Sequence, residues 1–437
     1  MQKHLYALLL ALAVALAGCA QKTDDMDDDT TPPPGGDDDG GEDDDDDETP
    51  GDAGVLKLGT MMPLTGPLNS IGPSMEKGAK LAISEVNAAN LGLRIDVVGH
   101  EDDGTVDTTG VPNKFNRLVA GGAQVIVGPC CSGVTGSILD LAVQNEVIAA
   151  TPSATAPKFT TERDNEGFFW RIPVNDGIQG RVLAELMDTD GATDVAIIAV
   201  NNNYGNGLAA VLKEQLTGAH GITIVADERH DEGTTTFSTA VDAACGKDPK
   251  AIALVTYTAD GAQIVKEMFS KGCLDGVKLY GSEGVYDPAS SIATQAGKDA
   301  EGNFLVAGMR GSAPQPGNAS TFGLKYKAAY PAEDPQLYAA ESYDAVMYAA
   351  LAAVKAGKTD APSIRDAFHA IANPPGQKCS EFAACAALVK AGQDIDYAGH
   401  AHDYAFDERF EPGTGLFIWW EVQADGTMKT VATGKSA

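Results

Sequence analysis

Two sets of side chains in this sequence have the chemistry to hold a small charged molecule. Ser132, Thr135, Ser153 and Thr155 are small hydroxyl residues in two neighbouring loop-like stretches, and hydroxyl and amide donors suit a carboxylate. Much further along stand Tyr204, Tyr257 and Glu283, of which the last is an acceptor for a cation. A zwitterion suits the division, since its acid end needs donors and its amine end needs a charged acceptor, and each such bond contributes about 1.5–3 kcal/mol. Singly, each residue has a plain alternative: Ser and Thr cap helices and turns, and Glu283 fits a surface or structural carboxylate. Catalytic patterns are weaker. No G-x-S-x-G elbow is present. Cys131 with His230 would make a nucleophile and base, but nothing in the sequence brings them together, so an inert thiol is expected. His400-Ala401-His402-Asp403 reads as a surface loop rather than metal ligands, and no metal or cofactor is expected. Gly205-Asn206-Gly207-Leu208-Ala209-Ala210 fits a dinucleotide fingerprint, yet Asn201 to Tyr204 separate it from the preceding strand, where the phosphate turn needs glycine at the strand end.

The elements that must position these residues alternate. Gln124 to Gly128 is a strand, Val134 to Gln144 has helical spacing, and Val147 to Thr151 is a second strand. In a parallel sheet both hydroxyl loops leave the carboxyl edge, where open α/β sheets bind ligands. The start of the helix, with unpaired amides, favours an anion at Ser132 and Thr135. Strands at Val55 to Met61, Leu93 to Gly99 and Phe168 to Ile172 complete a first series. A second runs through strands at Asp194 to Val200, Ile222 to Glu228, Ala251 to Tyr257 and Val277 to Gly281, with helices between. Short alternating connections predict two parallel α/β lobes. The second lobe's carboxyl-edge loops carry Tyr204, Tyr257 and Glu283. The late run Leu416 to Val422 belongs beside an existing sheet.

The 437 residues carry a formal charge of minus 31. Lys3 and His4 precede the apolar run Leu5 to Leu16, too short to span a bilayer, so residues 1–19 read as a signal peptide. Residues 20–54 hold sixteen acidic side chains against Lys22, cannot bury apolar surface, and are expected to form a disordered acidic tether reaching about 33 Å as an ideal chain. With that segment and Lys3 set aside, minus 17 remains, which argues against nucleic acid. Export permits disulfides. Cys245 and Cys273 each end a helical stretch before a strand, and the starts of adjacent parallel strands lie close, so they are expected to pair; Cys379 and Cys385 are expected to close a short loop. Cys130 and Cys131 are adjacent and make no unstrained bridge with each other, which leaves at least one free thiol.

From Val55 to Glu421 the chain closely resembles the branched-chain amino acid-binding proteins, the leucine/isoleucine/valine subfamily of type I periplasmic solute-binding proteins. The resemblance is carried by Pro63-Leu64-Thr65-Gly66-Pro67, Gly128 to Thr135, Thr151 to Pro157, Tyr204-Gly205-Asn206-Gly207-Leu208 and Gly281 to Val285. Leu16-Ala17-Gly18-Cys19 similarly resembles a bacterial lipoprotein processing box, which implies lipid on Cys19 and anchorage to a membrane outside the cytoplasm, in the periplasm or at the cell surface. The family resemblance implies an α/β type I periplasmic-binding-protein fold of two doubly wound parallel-sheet lobes, residues 55–173 with 310–408 and residues 174–309 with 415–431, joined by three crossings near Val174, near Met309 and between Glu408 and Gly415. It places carboxylate ligands at Ser132, Ser153 (mainly by its backbone) and Thr155, ammonium ligands at Thr155, Tyr257 and Glu283, and Tyr204 where the second lobe closes. The implied function is a monomeric, non-enzymatic binding protein that delivers an aliphatic or branched-chain α-amino acid to an ABC import permease. A binding protein for an amide, urea or aromatic acid, a ligand sensor of the same fold, and an exported enzyme are the alternatives. Two departures stand out. The loop Asp103 to Asp107 lacks the cysteine that the family's best-known members pair with the one at position 131, and Ile71 stands where an aromatic residue often covers the ligand's side chain.

Overall fold

The computed structural model describes residues 52–106, 108–162, 164–289, 291–315, 321–403 and 405–436. The expected signal peptide, Cys19 and almost all of the acidic tether lie outside the described residues. Among the described residues, no helix is long and apolar enough to cross a membrane.

Strands β1 (Gly54–Met62), β2 (Leu93–Asp102), β3 (Val125–Val127), β4 (Ile148–Thr151) and β5 (Phe169–Arg171) form a parallel sheet in the order β2-β1-β3-β4-β5. β3 and β4 are buried throughout, as apolar strands covered by helices on both faces must be. One cover is the helix Gly72–Ala89, which turns Met75, Ala79, Ala82 and Val86 inward at helical spacing. It packs on the alanine-rich helix Ala339–Ala356 so closely that a Cβ on Gly78 would lie 2.1 Å from the Ala339 carbonyl oxygen.

The second sheet holds β6 (Asp194–Val200), β7 (Thr223–His230), β8 (Ala251–Val255), β9 (Lys278–Gly281), β10 (Arg310–Pro314), β13 (Phe417–Val422) and β14 (Met428–Lys435), in the order β14-β13-β10-β9-β8-β6-β7. β7, β6, β8, β9 and β10 run parallel, and β13 and β14 are added antiparallel. A small third sheet pairs β11 (Gln377–Cys379) with β12 (Ile395–Tyr397). The fold is α/β with parallel sheets. Cys245 is bonded to Cys273 and Cys379 to Cys385, while Cys130 and Cys131 are free and buried.

Two expectations need correcting. The crossing placed near Met309, and with it the lobe boundary at residue 310, falls too early: β10 is a full member of the second sheet, paired with β9 and β13. Arg310-Gly311-Ser312-Ala313-Pro314 has no apolar run to announce a strand, but it supplies the edge on which β13 docks. The expected helix from Val134 to Gln144 is two short helices, Ser132–Thr135 and Leu139–Gln144, with Gly136 capping the first.

Candidate functional site

At the carboxyl edges of the two sheets, loops from both sides meet around one cavity. From the first sheet come Ser132 and Ser153 with Cys131, Leu68, Ser70 and Ile71; from the second come Tyr204, Tyr257, Thr258, Glu283 and Gly284. Leu337, Tyr338, Tyr286 and Asp287 complete the lining. Five of the six residues named as ligands from the sequence therefore line a single space. Thr155 does not line it but lies directly behind, 1 % exposed.

The hydroxyl wall is tightly built. Ser132 Oγ accepts from the Thr155 N–H at 3.1 Å and the Ala156 N–H at 3.2 Å. A hydroxyl that accepts twice still has its own proton to donate, so the second loop prepares Ser132 as a donor toward the cavity. A helix of one turn, Ser132–Thr135, carries little dipole, and the donor at this wall is the hydroxyl rather than a helix terminus. Thr135 is structural, its Oγ1 donating to the Pro129 carbonyl at 3.2 Å. Ser153 Oγ is likewise spent on the Cys130 carbonyl at 2.5 Å. Gly128 makes the turn before these residues at φ 119°, and a Cβ there would meet the Met61 carbonyl oxygen at 2.1 Å.

No cysteine is needed to anchor this loop. Asp103 Oδ2 accepts from the Cys130 N–H at 2.9 Å and Oδ1 from the Thr105 N–H at 2.8 Å. The carboxyl of Asp103 spans the gap in which the resemblance leads one to look for a disulfide. Burial pushes it up to about 6, against the pull of those two amides. Burial also pushes the Cys131 thiol far up, with the Asp103 charge adding to it, and a thiol so protonated is a poor nucleophile. His230, its imagined base, instead bonds Thr256 Oγ1 at 2.8 Å. His400 is buried, not part of a surface loop: its N–H donates to Asp344 Oδ1 at 2.9 Å, and the His402 ring lies 3.2 Å from Glu341.

Opposite stands an acidic and aromatic wall. Glu283 opens the short turn Glu283–Val285 after β9, where a Cβ on Gly284 would lie 2.4 Å from the Thr256 carbonyl oxygen and 2.9 Å from the Tyr204 hydroxyl. Glu283 Oε2 accepts from Gln179 Nε2 at 2.5 Å. Burial pushes its carboxyl up to about 7, while bonds from Tyr204 and Gln179 pull it back. Tyr204 and Tyr257 stack with centroids 5.8 Å apart. Tyr204 shares a 2.7 Å bond with Ser282 Oγ, and the Tyr257 hydroxyl accepts from Asn202 Nδ2 at 3.0 Å.

Among the lining residues that sequence reasoning missed are Leu68, Leu337 and Tyr338. Tyr338 is in the left-handed region at φ 67°, and its buried hydroxyl has no partner. Such strain in a bulky residue is held by its surroundings and gathers at ligand sites; only the fold could have exposed it. The two walls also touch. Asn203 Nδ2 donates to the Ser132 carbonyl at 3.1 Å, and Cβ atoms on Gly136 and Gly207 would lie 2.4 Å from Asn203 Nδ2 and 3.2 Å from Pro157 Cδ.

With this geometry in place, comparisons with known proteins agree on a class. A family model described as a periplasmic binding protein matches residues 55–375. The chain is 28 % identical over 374 residues to the chemotactic signal transduction system substrate-binding protein BasB of Halobacterium salinarum, covering 83 % of this chain and 86 % of that one. It is 27 % identical over 315 residues to the Leu/Ile/Val-binding protein BraC3 of Rhizobium johnstonii, covering 71 % and 81 %. The crystal structure of a leucine-binding protein LivK from Thermotoga maritima superposes with a TM-score of 0.70 at 20 % identity, covering 87 % of this chain and 99 % of that one.

Proposed function

This chain belongs to the periplasmic binding protein family, and on that footing we propose that it captures an aliphatic α-amino acid between its two walls and hands it to an ABC import permease. One observation carries the reading: a prepared hydroxyl donor at Ser132 and a buried carboxyl at Glu283 line the same cavity from opposite sheets. In this reading the ligand's carboxylate accepts a hydrogen bond from the Ser132 hydroxyl and others from backbone groups near Ser153. Its ammonium takes Glu283, Tyr257 and, once the loop adjusts, Thr155, while Tyr204 seats the second wall. Leu68, Ile71 and Leu337 favour an aliphatic side chain. Asp287, which also lines the cavity, accepts from the Ala289 N–H at 3.0 Å. The mature protein is proposed to be a monomer held to the membrane by lipid on Cys19, with no catalytic step.

The experiment is mass spectrometry of small molecules released on heating the purified protein, followed by calorimetry. Leucine, isoleucine or valine should bind at micromolar or tighter concentration, and benzoate and urea should not. Binding of an aromatic acid or amide with no response to any α-amino acid would refute the assignment. The name of the Halobacterium relative favours a second recipient, a chemotaxis receptor. Capture of a permease or of a receptor by the loaded, crosslinked protein separates the two.

A further inference from the structure

Asp176 opens the helix Asp176–Thr189, just after the chain leaves the first sheet. It is fully buried, and neither carboxylate oxygen has a hydrogen-bond partner of good geometry. Its backbone N–H donates to the Thr155 carbonyl at 3.0 Å, and the Thr155 hydroxyl lies beside its carboxyl. The charged and titratable groups facing it are Glu283 from the turn after β9, Arg171 from β5, and the hydroxyls of Tyr204 and Tyr338. Arg171 is committed elsewhere: Nε donates to Glu411 at 2.6 Å, Nη1 to the Ala154 and Ala156 carbonyls at 2.9 Å each, and Nη2 to Thr160 Oγ1 at 3.0 Å. Asp176 thus has no hydrogen-bonded counter-ion. A dry carboxylate in that position is costly unless it keeps its proton or meets a cation.

We propose that Asp176 and Glu283 form a carboxyl pair at the amine end of the cavity, which holds protons when empty and gives one up as a cationic amine lodges there, so that capture is coupled to proton release. The proposal rests on the amino acid reading above. In the balanced step the ligand enters as an ammonium ion, the Glu283 carboxylic acid passes its proton to the buffer, and Asp176 keeps its own. The ammonium and the Glu283 carboxylate then sum to zero buried charge. Burial first and the Glu283 charge second push Asp176 well above the ordinary carboxylate range, and two such groups titrate as a unit. With Glu283 near 7, the empty pair carries both protons in acid and the filled pair carries one. Affinity should therefore rise about tenfold per pH unit on the acid side of neutrality and level off above it.

The test is calorimetric titration of the full chain with leucine in pairs of buffers of different ionisation heat. At pH 6 close to one proton should leave per leucine bound, and by pH 8.5 almost none. Glu283→Gln removes the group that ionises, so the weaker leucine binding that remains should release almost no protons at pH 6. Equal heats in both buffers at pH 6 for the parent, or undiminished release by the Gln variant, would overturn the pair while leaving amino acid binding standing. A parent that binds no α-amino acid at any pH would overturn both. If the variant does not fold, difference infrared spectroscopy of the parent decides: leucine at pH 6 should remove one protonated-carboxyl band and leave another, and no change in that region overturns the proposal.

Discussion

Glu283 joins two properties that pull in opposite directions. Its proposed role needs a carboxylate in a dry cavity, and the same burial raises its pKa to about 7 from about 4.3 in an unfolded chain. Between those values the folded empty protein holds a proton that the unfolded chain has lost. Stability therefore falls as pH climbs through that window and then levels off. Glu283→Gln should accordingly melt a few degrees higher than the parent at pH 8, by differential scanning calorimetry, and no higher at pH 4. The same change should weaken leucine at least about thirtyfold, because truncating one partner of a buried charge pair costs roughly 2–5 kcal/mol. A variant with parental affinity would remove Glu283 from the site. Ser132→Ala should cost roughly tenfold or more, through the donor that the Thr155 and Ala156 amides prepare. The types of these residues, a hydroxyl and a carboxyl on carboxyl-edge loops, were legible in the sequence. Their hydrogen-bonding states were not, since the two amides that prepare Ser132 approach it only after β3 and β4 have paired.

At the scale of elements, the alternation of apolar strands and amphipathic helices predicted β1 to β9 and β13 to within a few residues. Of the four strands missed, β10, β11, β12 and β14, two share a cause. β10 and the outer strand β14 lie where pairing, not side-chain pattern, makes the strand: Arg310–Pro314 has no apolar alternation, and Met428–Lys435 is mostly exposed. The split of the helix after β3 was equally hidden, because Val134, Ile138, Leu139 and Ala142 keep an apolar spacing through the break at Gly136. Leu337 and Tyr338 reach the cavity from a segment distant from every recognised loop. Asp103 gives a prediction at this scale. Asp103→Ala leaves the Cys130 and Thr105 amides without their acceptor, which should destabilise the protein by about 1–3 kcal/mol and also loosen the loop bearing Ser132. A lower melting temperature together with weaker leucine binding is expected. A stability loss with unchanged affinity would show that the loop holds its shape without this tie.

At the scale of the whole molecule, a cavity walled by two sheets implies that filling it and drawing the sheets together are one event, since a ligand touching both walls favours the closed arrangement. Trp170 lies in β5, just before the chain leaves the first sheet, and Trp419 and Trp420 lie in β13, just after it returns to the second. Leucine should therefore change tryptophan emission, and a spectrum indifferent to every amino acid would count against closure on such ligands. The Cys245–Cys273 bond lies at the opposite, amino ends of β8 and β9. Replacing both with Ser should lower stability by about 3–4 kcal/mol on the chain-entropy account without altering affinity. The seam between the walls has a further consequence. At Gly136 and Gly207 the opposing surfaces leave no room for even one added methyl group without displacing Asn203 or crowding Pro157. Those two positions are natural doorstops: a bulky residue placed there would wedge the jaws ajar while every group that grips the cargo stayed intact, yielding a protein that greets its guest and cannot shut behind it.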